Sequence, residues 1–355
     1  MSRLRLLLAT ALLAGLIGCA SIGPTRVAID RIDYSGALGE SWARQTLLSI
    51  VRLRYLDVPV FMDVSSIVAS YAIELGGDLS GVGRPSLLDR LSLNGRYSDR
   101  PTISYRPLTG RDFVQAMMTP LPPETVLSLI KSGWPTDLVF FSLTAQINGL
   151  RNAGVSLRRL HSEDPGFARV VRLLNQLDAA RGASFVQSDT EEHGYMLWLR
   201  PAQGLPAELT SQIDELRSLL GLDAQASRVP VKFADISSSG DRIALRTRSI
   251  MEFLVAASAQ VRVPPEDLAA GRVTAGLTAI SDQAHQAQSQ SRLIVHSGPS
   301  APATPYVAAR HRALWYWIDD DDLDSKQTFA FLMLLLTMAE TGKDTGAPLL
   351  TLPAQ

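Results

Sequence analysis

Cysteine occurs once in these 355 residues, at Cys19. A lone thiol excludes an intrachain disulfide framework and a cysteine-built zinc cluster. Histidine is scarce too: His161, His193, His285, His296 and His311. None falls in His-Glu-x-x-His and no two stand at helical ligand spacing, so the chain carries no metalloprotease signature. Neither sign of charge dominates, with 34 Lys and Arg against 35 Asp and Glu and a formal net charge of -1. That balance builds no field that attracts nucleic acid, and no nucleic-acid partner is expected. A Gly-x-Ser-x-Gly elbow is missing. The segment GGDLSGVG (76–83) lacks the Gly-Lys-Ser/Thr ending of a phosphate loop and the dinucleotide spacing, and reads as a hairpin connection. Ser237-Ser238-Ser239-Gly240-Asp241 reads as a polar turn between strands and not as a nucleophile. What the chain does have is apolar content, 46% hydrophobic against 19% charged, enough for a sizeable core in one large or two smaller domains.

The most informative stretch is the start, MSRLRLLLATALLAGLIGCA (1–20). Arg3 and Arg5 precede an apolar run from Leu6 to Ile17. That run is too short to span a hydrocarbon core, which takes about 20 helical residues, and it has the pattern of a secretory signal. It ends in Leu16-Ile17-Gly18-Cys19, with a leucine three residues before the cysteine and a small residue directly before it. This resembles the lipobox of bacterial lipoproteins. The resemblance implies a signal peptide over 1–18, cleavage after Gly18, and lipidation of Cys19 on its thiol and its new amino group. Several acyl chains anchor stably where one holds only marginally, at about 0.8 kcal/mol per buried methylene. The membrane is thus an expected partner through N-terminal acyl chains. Ala20 in place of aspartate after the cysteine implies sorting to the outer membrane, with the body facing the periplasm.

Two further stretches, IVRLRYLDVPVFMDVSSI (50–67) and WYWIDDDDLDSKQTFAFLMLLLTMAETG (315–342), resemble segments of uncharacterised proteobacterial envelope lipoproteins. That likeness implies lipoprotein status and carries over no catalytic residue and no cofactor.

Behind the anchor, residues 19–37 show no sustained period and read as a lipidated tether with one short extended piece. Residues 39–54 place Leu47, Ile50 and Val51 on one side of a helix. Residues 58–75 read as strand, although their middle could be helical, and Asn94-Gly95 reads as a tight turn between strand-like ends. Helices follow at 110–119 and 123–132, the second ended by Gly133. Asp137 to Ile147 reads as a buried strand. Helices are expected at 165–181, 206–220, 247–260 and 323–341. Strands are expected at 184–187, 195–200, 229–235, 242–245, 292–296 and 314–318. Runs of helix and strand pair in this order predict an α+β fold. The expected organisation is a subdomain over 38–155 and another over 156–355, or one continuous domain, with an insertion or mobile segment near 279–291.

Three clusters carry candidate chemistry. Arg52, Arg54, Tyr55, Asp57 and Asp63 form either an arginine fork for an anion or a structural network in which Arg54 or Arg52 pairs with Asp57. The network is the expectation. Asp319 to Asp322 with Asp324 lack the alternation and glycine of a calcium loop, and capping of the following helix is expected over a cation site. In LWYWID, alternation puts Trp315 and Trp317 on one strand face and Tyr316 on the other, with one face in the core. His193, after Glu191-Glu192, reads as a solvated turn residue, and His311 as a strand-edge residue.

The function expected from the anchor resemblance is a membrane-bound envelope lipoprotein. Its body would be a non-enzymatic binding or structural component with a protein or envelope-component partner. The alternative is an envelope hydrolase or metal-dependent enzyme using the acidic cluster or the histidines. A carrier of a lipid or cell-wall ligand is a third reading, and needs a deep apolar pocket. The only site residue expected is Cys19, for lipidation; no catalytic residue, cofactor or metal ligand is expected.

Overall fold

A computed structural model of the chain describes residues 24–68, 71–79, 91–99, 102–156, 159–161, 163–188, 194–201, 203–234, 240–274 and 293–340. Cys19, His193, His285, Ser237 to Ser239 and the segment 279–291 lie outside them. Helices and strands are mixed along the chain in an α+β fold.

The first helix, α1, runs Pro24–Arg54. It starts well before Gly39, so residues 24–37 are helical and not an irregular tether. Over residues 32–37 the missing period has a physical cause. Most of residues 32–41 are exposed, with Ile32 at 72%, and the buried stripe of Leu47, Ile50 and Val51 comes only later. A turn that packs on nothing leaves no apolar repeat to read. Leu56 ends the helix at φ 60, and Asp57 N donates to Arg52 O at 2.9 Å. This is a left-handed helix terminus without the usual glycine.

Strand β1 (Met62–Val68) pairs with β4 (Thr102–Pro107), and β2 (Tyr71–Leu79) with β3 (Leu91–Asp99), both antiparallel. Asn94-Gly95 is not a turn. It sits inside β3, opposite Gly76 and Leu75, and Gly76 to Leu79 are strand as well. A nine-residue ladder outweighs a dipeptide's turn preference. The short helices α2 (Arg111–Met118) and α3 (Pro123–Lys131) follow, and Gly133 at φ 103 turns the chain out of the second.

The stretch read as a buried strand divides in two. Thr136–Leu143 is helix α4 and Thr144–Ile147 is strand β5. Six of the eight residues of α4 are buried, so its apolar run has no polar face to reveal a helical period. Next come β6 (Leu150–Arg151), β7 (Gly154–Ser156), β8 (Arg159–His161), α5 (Pro165–Ala179), β9 (Ala183–Gln187), β10 (Tyr195–Leu199) and α6 (Ala207–Leu220). Then β11 (Arg228–Phe233), β12 (Ile243–Thr247), α7 (Ile250–Ser258), α8 (Pro265–Ala269), β13 (His296–Gly298), β14 (Pro305–His311), β15 (Leu314–Asp319) and α9 (Leu323–Glu340) complete the described chain.

One sheet has the order β6-β5-β12-β11-β10-β9 and is antiparallel except between β11 and β12. Leu197, Val229, Val231 and Leu245 of that sheet share a core with Phe167, Val170 and Leu177 of α5 and Leu216 of α6. A second sheet, β13-β15-β14, shares another core with the end of α1 and with α2, α7 and α9. Helix α9 puts Phe329, Phe331, Leu332, Leu335 and Leu336 into this core. No helix among the described residues is long and apolar enough to cross a membrane.

The cores meet where β12 leaves the first sheet and α7 enters the second core. Arg248 stands in that connection, 6% exposed. Its Nη1 donates to Phe141 O at 3.1 Å, and its Nη2 donates to Ala153 O. Its own N–H reaches Leu143 O at 2.7 Å, and its carbonyl accepts from Leu121 N at 3.1 Å. Beside it, Asn152 Nδ2 donates to Phe141 O at 2.8 Å and Thr144 O at 2.7 Å. The end of α4 would otherwise leave the Phe141 and Leu143 carbonyls without helical donors. Arg248→Met keeps the bulk and removes the donors. It is expected to cost about 3 kcal/mol, read as a lower urea midpoint at unchanged m-value. A loss below about 0.5 kcal/mol, the usual range of surface substitutions, would contradict this role for Arg248.

Candidate functional site

The three-stranded sheet is sorted by strand alternation. Tyr316 and Ile318 of β15 point into the core at 1% and 0% exposure, while Trp315 and Trp317 occupy the other face, half-buried. The tyrosine face is therefore the core face.

On that inner face the Tyr316 and Tyr55 hydroxyls lie 2.7 Å apart, and Tyr55 donates to Asp267 Oδ2 at 2.7 Å. One hydroxyl holds one proton, so Tyr316 donates to Tyr55 and Tyr55 to the carboxylate. Arg272 Nη1 holds the other oxygen of Asp267 at 2.7 Å. Burial pushes both phenols up, and the hydrogen bonds of Tyr55 raise it further. The Tyr55 hydroxyl, then Arg272, hold the Asp267 carboxyl below its ordinary value. Arg312 lies over the Tyr55 ring at 4.4 Å, and Asp57 Oδ2 sits 3.6 Å from Arg312 Nη2 and 3.2 Å from His311 Nε2.

Asp57 thus pairs with His311 and Arg312, and neither Arg52 nor Arg54 pairs with it. The left-handed Leu56 turns the chain off the helix and directs Asp57 toward β14. Arg54, 1% exposed, donates Nη1 to Thr274 Oγ1 at 3.2 Å, and desolvation lowers it to about 10. Asp63 faces Arg106 at 3.8 Å across β1 and β4.

On the outer face, Trp317 Nε1 donates to Asp319 Oδ1 at 2.8 Å, and His296 Nε2 lies 3.2 Å from Asp319 Oδ2. His296 stacks against Trp317 with ring centroids 5.7 Å apart. Gly298 allows this close packing, because a Cβ there would stand 3.2 Å from the indole. The acidic cluster caps as expected: Asp322 accepts from Ser325 N at 3.0 Å and Ser325 Oγ at 2.6 Å at the start of α9. Asp320 meets Lys326 Nζ at 2.7 Å. Among the described residues no group of three His, Cys, Asp or Glu is placed to hold a metal ion.

Beside β14 lies an open groove of about 1130 Å³, between α1, the chain entering β1, and the sheet. Ala43 and Leu48 of α1, Val60, Met62, Ala308, Trp315 and Met333 give it apolar walls. Three arginines and one carboxylate also line it: Arg44, Arg52 and Arg310, with Glu40. Arg44 is paired with Glu40 at 2.5 Å, whereas Arg52 and Arg310 meet no acceptor or carboxylate among the described residues. Sequence reasoning singled out Arg52 and Trp315 but missed Arg310, Val60, Met333 and the groove itself. The one available signal was the alternation of PYVAARH, which marks β14 and puts Ala308 and Arg310 on one face. Trp134 lies elsewhere, against Phe331 at 4.8 Å, and Trp198 is half-buried in β10.

The inner-face network makes a pH prediction. Burial lowers His311 below its ordinary 6.5; Asp57 pulls upward, while Arg312 and Arg52 add to the depression. The unfolded chain therefore takes up this proton at higher pH than the folded one. The contribution is full above the ordinary imidazole value and is lost as pH falls from there toward the folded value. Melting temperature should fall between about pH 7.5 and 5.5, and fall less in His311→Asn. Equal slopes in circular-dichroism melts of the two proteins would exclude His311 as the source. Compared with known proteins, the chain matches no protein-family model, no curated protein and no solved structure.

Proposed function

We propose that the chain is an acyl-anchored envelope protein, held at the outer membrane through Cys19, with a body that binds its ligand and does not transform it. The anchor is supported by Leu16-Ile17-Gly18-Cys19 behind a short apolar run with a basic leader. Binding is supported chiefly by the groove beside β14, whose apolar walls carry two arginines without partners among the described residues. Such a mixture of apolar surface and a few convergent polar groups is what small-ligand sites use.

The alternative reading, a hydrolase built on the histidines or the acidic cluster, has less support. His296 and His311 each face a single carboxylate. Neither imidazole receives a serine or threonine hydroxyl among the described residues, so neither is set to activate a nucleophile there. Asp319, Asp320 and Asp322 are engaged with Trp317 and His296, with Lys326, and with the start of α9.

Metabolic labelling with radioactive palmitate tests the anchor. Wild-type chain should carry label and sediment with outer membranes, and Cys19→Ala should carry none. Equal label in both proteins, or wild-type chain free in the periplasm, would refute it.

A further inference from the structure

We infer that the groove beside β14 is a binding site for an anionic amphiphile, its head held between Arg52 and Arg310 and its single hydrocarbon chain laid against Leu48, Val60 and Trp315. This deepens the reading of the body as a binding module and is independent of the anchor.

Two features of the groove select the ligand class. The first is charge. Arg52 in the last turn of α1 and Arg310 in β14 come from elements far apart in sequence, yet they line one groove. Arg44, the third, is already paired with Glu40. Arg52 and Arg310 have neither carboxylate nor hydrogen-bond acceptor among the described residues. Two guanidiniums without a partner among the described residues offer planar, permanently charged donors that suit a carboxylate or a phosphate, and no cationic head is matched to them.

The second feature is apolar surface left in water. Val60, Met62 and Tyr306 on the groove wall are 46%, 37% and 37% exposed. A small inorganic anion would satisfy the arginines and leave this wall wet. A hydrocarbon chain covers it and gains about 25 cal/mol for each Å² removed from water. The volume of about 1130 Å³ admits a head and a chain together, since small-molecule sites usually hold about 300–1,000 Å³. The shared chemistry, an acyl or alkyl chain with an anionic head, covers free fatty acids and single-chain lipid phosphates alike.

The test uses the full chain made by cell-free synthesis, without its own lipid. It is titrated with the fluorescent fatty acid cis-parinarate, followed by the probe's emission. Dodecyl phosphate, dodecyltrimethylammonium and inorganic phosphate are then added as competitors. Saturable binding of one probe per chain is expected, displaced by dodecyl phosphate and by neither of the other two. Arg52→Gln with Arg310→Gln should weaken binding about tenfold or more at unchanged melting temperature, because neither side chain has a described partner to lose. Ala308→Trp, which fills the groove from its wall, should abolish binding. Displacement by inorganic phosphate alone would mean a plain anion site and overturn the proposal. Equal displacement by the cationic amphiphile, unsaturable binding, or wild-type affinity in the arginine double variant would do the same. None of these outcomes touches palmitate labelling at Cys19, so failure of the groove and failure of the anchor are distinguishable.

Discussion

The Arg248 guanidinium is buried at the junction of the two cores and is held by main-chain carbonyls. Removing such an ion from water costs several kcal/mol unless its donors are engaged. Here the end of α4 and Ala153 supply the acceptors, and the α4 carbonyls themselves need donors because the helix stops at Leu143 and the chain continues as β5. Desolvation lowers Arg248 to about 10, so it still carries its proton at neutral pH. The same residue ends the exit from β12 and precedes the capping box of Ser249 and Glu252 that starts α7. One side chain therefore aligns a strand of the first core with a helix of the second.

With α7 fixed, the second core determines where the β13-β15-β14 sheet can lie. Its inner face must be apolar enough to pack on α1 and α9, and Val307, Ala309, Tyr316 and Ile318 supply that. Tyr316 brings a hydroxyl into this core, and the relay through Tyr55 to Asp267 satisfies it and ties α8 to the end of α1. The opposite face and the edge at β14 are then left open toward α1, where a helix, a strand edge and a sheet diverge and the groove forms. The relay and the groove are thus two faces of one packing arrangement, one stabilising and the other available to a ligand.

Much of the helical framework was legible in the chain. The helices at 110–119, 123–132, 165–181 and 206–220 are present within a few residues, because each has an apolar stripe and a proline or glycine at an end. Several readings failed, the following for identifiable reasons. Residues 24–37 are helical without an apolar period, α4 is buried nearly all round, and Asn94-Gly95 is overruled by its ladder partner. The split faces of LWYWID and the cap at Asp322 followed from local rules alone.

The candidate site was much less legible. Arg52 and Arg310 stand 258 positions apart, and no periodicity links them; only the packing of α1 along β14 does. Asp57 finds His311 instead of a neighbouring arginine because one left-handed residue redirects the chain. By itself the sequence determined the helices that carry an apolar stripe between proline or glycine ends, the absence of a cysteine framework and the lipobox-like start, since these are written in local residues or in the composition. Which side chains share a cavity, and which charges are left without a partner, was decided only by tertiary packing, because contacts between distant segments depend on register and helix placement that no local pattern encodes.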